Sequence, residues 1–309
     1  MSAPPIGHPS VVQCWFRALR FHQWAKNALV FAPLALAGIQ ARPSDVAAAG
    51  FGFVALGFAS SAGYIFNDLC DRAADRLHPK KRFRPFASGA LAVWAGLAAV
   101  PLVIVAAAAF AAVAAANARQ PELLVLALCA YLIGTLLYSV SFKHTPPFDL
   151  VALGGLFTIR VLAGMAFVPP PVSLWLLTFA MFMFIGLAAI KRYAELLRLV
   201  RETGNAPARL DRGYDTDNLT FVMALGVSCG IAAVLIFVMY LILDRFPAHI
   251  YGNPTSLWLM VPIILAWLMR MWLLASRGEM DEDPIAFALR DPQSWTLGAA
   301  CAVFIFFAW

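Results

Sequence analysis

The stretch that decides the fold is an uncharged apolar run that ends in a cluster of acidic residues. Residues 46–75 read VAAAGFGFVALGFASSAGYIFNDLCDRAAD. Residues 46–66 carry no charged side chain, and about 20 apolar residues in a helix cross the hydrocarbon core of a bilayer. Acidic groups at the end of a membrane span are costly and are usually functional. This stretch therefore predicts a transmembrane helix that presents a polar site at one membrane surface.

The composition of the chain extends this interpretation. Of the 309 residues, 62% are hydrophobic and 13% are charged, whereas soluble domains are about 45–50% apolar and about 25% charged. We predict an all-α polytopic membrane protein with nine transmembrane helices in one bundle and no cleaved signal peptide. The predicted spans are 27–41, 46–66, 90–116, 121–140, 148–168, 172–190, 219–243, 255–276 and 294–309. Ahead of this domain (27–309), residues 1–26 are predicted to form a tail and an amphipathic helix in the membrane interface.

The positive charges predict an orientation. All 23 lysines and arginines except Arg42, Arg119, Arg160 and Arg245 lie in the N-terminal segment or after spans 2, 4, 6 and 8, if Arg270 is counted with the end of span 8. The positive-inside rule makes this side cytoplasmic. We predict a bacterial inner-membrane protein with its N-terminus and its site on the cytoplasmic side. The net charge of +6 is then mostly a topology signal, and nucleic acid is not an expected partner.

The acidic motif has the chemistry of a metal site. Asp68, Asp71 and Asp75 are spaced i, i+3 and i+7, which places them on one face of a helix. Neighbouring carboxylates repel one another unless a cation lies between them, and hard oxygen ligands suit Mg²⁺, with Mn²⁺ as a second possibility. We predict that these aspartates and Asn67 bind the metal and that Pro79 ends the helix. The alternative interpretation is a solvated loop held by ion pairs.

Basic residues follow the motif and complement it. Lys81, Arg82 and Arg84 lie just beyond the predicted helix, and arginine binds phosphate oxygens in a bidentate manner. Metal and basic residues together predict a site for a diphosphate-bearing substrate.

A second polar segment, KRYAEL at 191–196, begins at the end of span 6. Lys191 and Glu195 are i,i+4 neighbours, which allows a structural ion pair. The functional alternative is a basic clamp with a further acidic ligand opposite the first motif. Arg160 lies inside span 5, where an arginine needs a partner or a polar cavity, and we predict that it lines a cavity.

Two smaller groups of polar residues lie at the cytoplasmic ends of spans. Gln23 and Lys26 precede span 1 and Asn27 begins it, without an evident structural need for their polar groups. Tyr138 and Lys143 lie at or just beyond the end of span 4, where a lysine that only snorkels to the membrane surface is the alternative. We predict that both groups bind substrate.

These residues resemble the UbiA superfamily of intramembrane prenyltransferases. The resemblance rests on N-D-x-x-D-x-x-x-D at 67–75, on the polar loops after spans 2 and 6, and on the pairs RP at 84–85 and SG at 88–89. Within the superfamily, the chain looks most like the decaprenyl-phosphate phosphoribosyltransferase branch. The similar segments are LRxxQWxKN at 19–27, HPxKRxRP at 78–85, KRYAEL at 191–196, DP at 283–284 and LRD at 289–291.

The resemblance implies a reaction. It is the Mg²⁺-dependent transfer of 5-phosphoribose from phosphoribosyl diphosphate to a polyprenyl phosphate similar to decaprenyl phosphate, with release of diphosphate, in cell-wall precursor biosynthesis. Relatives with aromatic acceptors usually carry a D-x-x-x-D-type cluster after span 6, where this chain has KRYAE. This departure favours an activated ribose over a prenyl diphosphate. The alternatives are a prenyltransferase with an aromatic or small lipid acceptor and a non-enzymatic transporter or scaffold for polyprenyl phosphates. The resemblance leaves open whether the protein forms a homo-oligomer and whether a downstream phosphatase acts on its product.

The resemblance also implies roles for individual residues. The predicted catalytic residues are Asp68, Asp71, Asp75, Lys81 and Arg84. The predicted substrate-binding residues are Gln23, Lys26, Asn27, Asn67, His78, Arg82, Tyr138, Lys143, Arg160, Lys191, Arg192, Tyr193 and Glu195.

Overall fold

The computed structural model describes residues 10–78, 80–204, 206–247, 251–280 and 283–309, and within these ranges the chain forms helices and no β-strand. Seven stretches of the described residues are long and apolar enough to cross a membrane as helices. They are Pro43–Cys70, Val93–Ala116, Pro121–Val140, Phe148–Met165, Leu174–Thr203, Thr216–Arg245 and Pro254–Arg277. A shorter apolar helix, Pro292–Ala308, follows them. The prediction of an all-helical membrane protein is confirmed.

The longer α-helices are numbered here in chain order. They are α1 (Val11–Leu19), α2 (Pro43–Cys70), α3 (Val93–Ala116), α4 (Pro121–Val140), α5 (Phe148–Met165), α6 (Leu174–Thr203), α7 (Leu219–Tyr240), α8 (Met260–Arg277) and α9 (Pro292–Ala308). Most predicted spans match these helices to within a few residues. Helix α6 is the exception, because it continues to Thr203, well past the predicted end of span 6 at residue 190. The KRYAEL segment is therefore helical and is not part of a loop.

The N-terminal part differs from the prediction. Helix α1 begins at a capping box, in which Ser10 Oγ accepts from Gln13 N, and it ends at Leu19 instead of residue 26. Arg20 has a left-handed conformation with φ 52°, which turns the chain out of the helix. Residues 21–40, here called the first segment, then form a 3₁₀ helix (Phe21–Phe31), a short α-helix and a second 3₁₀ turn. The predicted first span thus exists as three short helical pieces.

The bundle is organised around α5. Val161 and Met165 of this helix pack in a cluster with residues of α6, α7 and α8. Ala163, on the same helix, packs with residues of α2, α3, α4 and the first segment. Close approach is possible because residue 164 is glycine: a Cβ atom there would lie 2.2 Å from the carbonyl oxygen of Val30. Small residues permit such contacts between membrane helices.

Different ion pairs mark the two ends of the bundle. Near the start of α2, Asp45 pairs with Arg119 at 2.5 Å, and near its end Asp68 pairs with Arg20 at 2.6 Å. The first segment begins beside Arg20, and at its other end Gln40 O accepts from Arg119 Nη2 at 2.9 Å. It therefore runs antiparallel to α2, from the acidic motif to the far end of the bundle.

Candidate active site

The acidic motif lies where α2 ends. Asp71 stands at the junction between α2 and the short helix Arg72–Leu77. Backbone hydrogen bonds from Asp71 N to Asn67 O (2.9 Å) and from Asp75 N to Asp71 O (2.8 Å) carry the helical path across the junction. The side chains of Asp68 and Asp75 are buried, and that of Asp71 is half-buried. The predicted spacing is thus realised on a nearly continuous helix, and its aspartates differ in exposure.

Arg84 joins the two buried aspartates. Its Nη1 donates to Asp68 Oδ1 at 3.1 Å and to Asp75 Oδ2 at 2.7 Å. Arg20 supplies a second cation to Asp68 Oδ1, at 2.6 Å. Two carboxylate oxygens therefore converge on one positively charged nitrogen, and hydrogen bonds between charged groups are the strong ones.

The position of Arg84 depends on two further arginines. Arg72 Nε and Arg76 Nε donate to backbone carbonyls of the short helix Pro85–Ser88, at 3.3 and 3.0 Å. Arg84 immediately precedes that helix. The two arginines of the acidic motif thus anchor the loop that carries Arg84 back onto the aspartates.

Asp71 has partners of its own. Lys143, in the 3₁₀ turn Phe142–His144 after α4, forms a short ion pair with Asp71 Oδ2. Asn67 Nδ2 donates to the same oxygen at 3.0 Å. The Lys143 side chain is 9% exposed, so it points into the protein. The snorkelling alternative does not describe this lysine.

His78 shapes the turn after the motif. Its Nδ1 accepts from the backbone N–H groups of Lys80 (3.1 Å) and Lys81 (3.3 Å). Burial and the neighbouring Lys81 charge lower the pKa of His78, which keeps Nδ1 free to accept. Burial, with Arg84 as the next cause, also lowers the pKa of Lys81. Pro79, predicted to end the helix, lies outside the described residues, and the helix before it ends at Leu77.

A buried network lies where α5 begins and in the second half of α6. Arg192 Nη2 donates to Asp149 Oδ2 at 2.8 Å, and Tyr214 Oη donates to Asp149 Oδ1 at 2.6 Å. Arg192 also forms a short ion pair with Glu195. Arg192 Nε is buried and makes no hydrogen bond within the described structure. The structural alternative of an ion pair between Lys191 and Glu195 is not realised, because Arg192 pairs with Glu195 at the i,i+3 spacing.

Lys191 turns instead towards Asp283. Lys26 Nζ lies 2.6 Å and Lys191 Nζ 3.8 Å from Asp283 Oδ2. Burial pushes the pKa of Asp283 upwards, but the two ammonium groups outweigh it and hold the pKa below its usual range. Two lysines from different parts of the bundle therefore share one carboxylate.

Arg160 lies in a polar network inside the bundle. Its guanidinium donates to Asn27 Oδ1 (2.8 Å), Tyr131 Oη (2.8 Å) and Leu156 O (2.7 Å). It also lies 4.9 Å from the centre of the Phe157 ring, whose centre is 5.8 Å from Lys26 Nζ. No carboxylate among the described residues pairs with it. Arg160 thus has the polar partners that an arginine inside a span needs, while its cavity-lining role stays a prediction.

Tyr138 lies between the acidic motif and the loop after α6. It is half-buried near the end of α4, and its hydroxyl accepts from Arg212 Nη1 at 2.5 Å. Five residues later, Lys143 contacts Asp71. The end of α4 thus touches the acidic motif on one side and the loop after α6 on the other.

The other predicted substrate-binding residues have different surroundings. Arg82 is exposed and stacks on the Phe83 ring at 4.9 Å. Tyr193 is buried and packs edge-on against Trp272 at 5.7 Å, which is a core contact. Gln23 is half-buried in the first segment.

The structure adds residues that the sequence did not single out for the site. Arg20, Asp149, Arg212 and Asp283 each bond to a predicted site residue. The ring of Tyr214 lies 5.3 Å from the guanidinium of Arg192, which is a predicted site residue. An acid at the very start of an apolar span was a signal that would have identified Asp149. Arg212 and Tyr214 carried no such local signal, because an ordinary solvated loop explained the charges around them equally well.

The donor set was tested against a divalent metal. Within the described residues, no group of three or more His, Cys, Asp or Glu side chains is already assembled to hold an ion. Instead, Asp68 and Asp75 converge on Arg84 and Asp71 pairs with Lys143. Carboxylate oxygens gathered around a cation are the donors that suit Mg²⁺, so these residues fit a metal that would take the place of the side-chain cations.

Comparison with known families agrees with this geometry. Residues 28–298 match the model of the UbiA prenyltransferase family. The chain belongs to this family. The acidic motif at the end of α2 and the KRYAEL segment both lie inside the matched region, so the resemblance inferred from the motifs is confirmed.

Curated relatives of this UbiA-family chain cover most of its length. An uncharacterized protein of Sinorhizobium fredii is 36% identical over 97% of the chain, which spans only 56% of that relative's length. Nodulation protein NoeC of Azorhizobium caulinodans is 34% identical, over 93% of the chain and 89% of the relative. Decaprenyl-phosphate phosphoribosyltransferase of Mycobacterium tuberculosis is 33% identical over 93% of both chains.

A solved structure supports the fold. A UbiA homologue from Archaeoglobus fulgidus, bound to GPP and Mg²⁺, superposes with a TM-score of 0.64 over 96% of this chain and 98% of that one, at 18% identity. The UbiA fold is therefore shared. The low identity limits the comparison to architecture.

Proposed function

We propose that this protein transfers 5-phosphoribose from phosphoribosyl diphosphate to a polyprenyl phosphate and releases diphosphate. The observation that carries the proposal is the division of the site into an acidic half and a basic half. Asp68, Asp71 and Asp75 form the first. The second contains Lys26 together with Lys191 and Arg192, and these last two lie in the segment after span 6 where relatives with aromatic acceptors usually carry aspartates. A donor and an acceptor that both bear phosphate need this arrangement. The identity to decaprenyl-phosphate phosphoribosyltransferase over most of both chains supports it.

The chain's own residues account for donor binding. Arg20, Arg84 and Lys143 neutralise the aspartates in the structure described here. In the substrate complex, these cations would turn to the diphosphate oxygens. Mg²⁺, or Mn²⁺, held by the three aspartates and Asn67 would neutralise the charge of the departing diphosphate.

The bond changes are simple. The bond between ribose C1 and the diphosphate oxygen breaks, and an oxygen of the acceptor phosphate forms the new bond to C1. That oxygen is already anionic, so the reaction needs no strong general base. Lys26 and Lys191 would leave Asp283 to hold the acceptor phosphate, and its isoprenoid tail would extend between helices into lipid.

The topology is part of the proposal. We propose nine membrane crossings, with the N-terminus and the site on the cytoplasmic side of a bacterial inner membrane and with α1 in the membrane interface. The first segment contacts both ends of the bundle, and its 3₁₀ turns rise about 2 Å per residue, which gives roughly 35 Å for a core of about 30 Å. Asp291, the N-cap residue of α9, forms an ion pair with Arg270 of α8. Just after the other end of α9, the centre of the Trp309 ring lies 4.4 Å from that of Tyr251.

The test uses full-length protein in detergent with Mg²⁺, phosphoribosyl diphosphate labelled in the ribose, and a polyprenyl phosphate. Label should become extractable with lipid, and Asp71→Asn should abolish this. Asp217→Asn, which changes an exposed carboxylate in the loop after α6, is the matched control and should retain activity. If the label stays aqueous while a prenyl diphosphate is consumed with an aromatic acceptor, the proposal is wrong.

A further inference from the structure

A cavity of about 480 Å³ opens beside Asp68, between α1, the start of the first segment and the loop before Pro85. Small-molecule sites commonly have volumes of about 300–1,000 Å³. The lining residues are Phe16, Arg17, Arg20, His22, Asp68, Lys80, Phe83, Arg84 and Pro85. Apart from Asp68 and Arg84, none of these was predicted as a site residue.

The charge of this cavity is strongly positive. Four permanent cations line it, and its one carboxylate, Asp68, already pairs with Arg20 at 2.6 Å and with Arg84 at 3.1 Å. Arg17 and Lys80 are exposed, and neither forms an ion pair with a carboxylate of the described residues. The cavity therefore presents uncompensated positive charge to water, as a site for a soluble anion requires.

The cavity and the acidic motif share a wall. Arg84 lines the cavity and also bridges Asp68 to Asp75. A ligand that places one anionic group at the acidic motif can therefore place a second one in the cavity, on the other side of Asp68. A prenyl diphosphate has only one anionic group, whereas phosphoribosyl diphosphate has a diphosphate on C1 and a monophosphate on C5.

We propose that this cavity is the subsite for the 5-phosphate of the donor sugar, with Arg17 and Lys80 as its principal ligands and Arg20 and Arg84 at the boundary with the diphosphate. The inference rests on the proposed function and assigns its two monophosphates to different places. The lipid phosphate belongs to Lys26 and Lys191, which share Asp283. The Lys26 side chain is 13% exposed and lies 5.8 Å from the centre of the Phe157 ring. The sugar phosphate, which arrives from water, belongs to the exposed cations.

The subsite can be tested by separating the two anionic parts of the donor. Full-length protein in an uncharged detergent with Mg²⁺ is titrated with ribose 5-phosphate and, separately, with inorganic diphosphate, and binding is followed by calorimetry. The variant is Arg17→Gln/Lys80→Gln. The matched control is Arg277→Gln, which removes an exposed cation in the last turn of α8, outside the cavity.

We expect the double variant to weaken ribose 5-phosphate binding by at least about tenfold, since it removes two cationic hydrogen-bond donors from the cavity. Diphosphate binding should stay within about twofold of the wild type, and the control should match the wild type for both ligands. Equal weakening of both ligands, or of neither, overturns the subsite. It is also overturned if phosphatidylglycerol displaces ribose 5-phosphate from the wild type, because the cations would then serve a lipid headgroup.

The failure of the subsite differs from the failure of the proposed function. If the wild type transfers no labelled ribose to lipid but still binds ribose 5-phosphate through Arg17 and Lys80, the reaction is wrong and the anion subsite stands. If transfer occurs and the KM for phosphoribosyl diphosphate is the same in the double variant, the reaction stands and the subsite is wrong.

Discussion

Arg192 and Asp149 form an ion pair inside the protein, with Nη2 and Oδ2 2.8 Å apart and side chains that are 2% and 0% exposed. Tyr214 donates to the other carboxylate oxygen, and its ring lies 5.3 Å from the Arg192 guanidinium. This network fastens α5, α6 and the loop after α6 to one another. It fixes the helix turn that also carries Lys191.

Asp149→Asn should therefore destabilise the protein strongly. Removing one partner of a buried pair costs about 3–5 kcal/mol, and here it leaves Arg192 with Glu195, which is 35% exposed, as its carboxylate partner. Unfolding of the purified protein in detergent, followed by temperature or denaturant, measures this loss. Glu195→Gln is the control, because Glu195 is 35% exposed and its loss leaves the buried pair intact. Equal stability of the wild type and Asp149→Asn would show that the ion pair with Arg192 makes no net contribution to the free energy of unfolding.

Removal of divalent metal should abolish transfer and leave the fold intact. The aspartates of the motif already have Arg20, Arg84 and Lys143 as counter-charges, so chelation does not leave carboxylates unpaired. With EDTA, the melting temperature should stay within a few degrees of the untreated value. A shift of that size corresponds to a change of about 1 kcal/mol in the free energy of unfolding. Activity should return on addition of Mg²⁺. Unfolding on chelation would show that the metal is a structural requirement.

The lowered pKa of Lys81 predicts that donor binding depends on pH. Burial and Arg84 lower its pKa, so its ammonium loses the proton at a lower pH than a free lysine, whose pKa is about 10.4. The protonated form is the one that binds phosphate, so the KM for the donor should begin to rise at a lower pH than deprotonation of a free lysine would produce. Lys81→Arg keeps its charge and should give a flatter profile. The same alkaline rise in both proteins would assign the effect to another group.

Asp283 predicts a pH dependence of stability. Because Lys26 and Lys191 hold its folded-state pKa below the usual range, its ionised form stabilises the fold above the unfolded-state pKa of about 3.9. This contribution disappears as the pH falls from there through the lowered pKa. Asp283→Asn keeps a side-chain oxygen for the cap on Ile285 N, so it removes mainly the charge.

The measurement is the difference in unfolding free energy between the wild type and Asp283→Asn from pH 7 to pH 3. We expect the difference to be constant above about pH 5 and to shrink below about pH 4. A difference that grows on acidification would have the wrong sign for a carboxylate with a lowered pKa.

Gly164 and Gly155 provide a matched pair of substitutions in α5. A Cβ at residue 164 would lie 2.2 Å from a backbone oxygen of the first segment, whereas a Cβ at residue 155 meets nothing within 4 Å. Gly164→Ala should destabilise the protein by about 1–3 kcal/mol, as overpacking does, and Gly155→Ala should be neutral or slightly stabilising. Both are measured by unfolding in the same detergent. Equal stability of the two variants would show that the first segment is not pressed against α5.

Much of the fold could be predicted from local sequence. Apolar runs such as 46–66 and 121–140 gave helix positions to within a few residues, because transfer into a bilayer depends on a length of about 20 residues that is visible in the chain. The first segment was the harder case. It leaves α1 at the left-handed Arg20 and packs against α2 and α5, and local propensity does not contain these tertiary contacts.

The site was predictable where its chemistry is contiguous. The i, i+3, i+7 spacing of Asp68, Asp71 and Asp75 and the basic residues up to Arg84 lie within 17 positions of one another, and the structure brings them together. The alternative of a structural Lys191–Glu195 ion pair is not realised, and the reason is physical. Helical spacing permits both that pair and Arg192 with Glu195, and only the surroundings select between them.

The sequence by itself determined the membrane class, the helical architecture and the place of the acidic motif, because hydrophobicity and helical periodicity are local properties. Tertiary structure alone decided which charge neutralises which. Arg20 with Asp68, Lys26 with Asp283 and Arg192 with Asp149 are far apart in the chain and meet only in the bundle. Coulomb attraction depends on distance in space and on burial. The pairing of Asp68 and Asp75 with Arg84, the pairing of Asp71 with Lys143, and the cationic cavity beside them therefore became visible only in the folded protein.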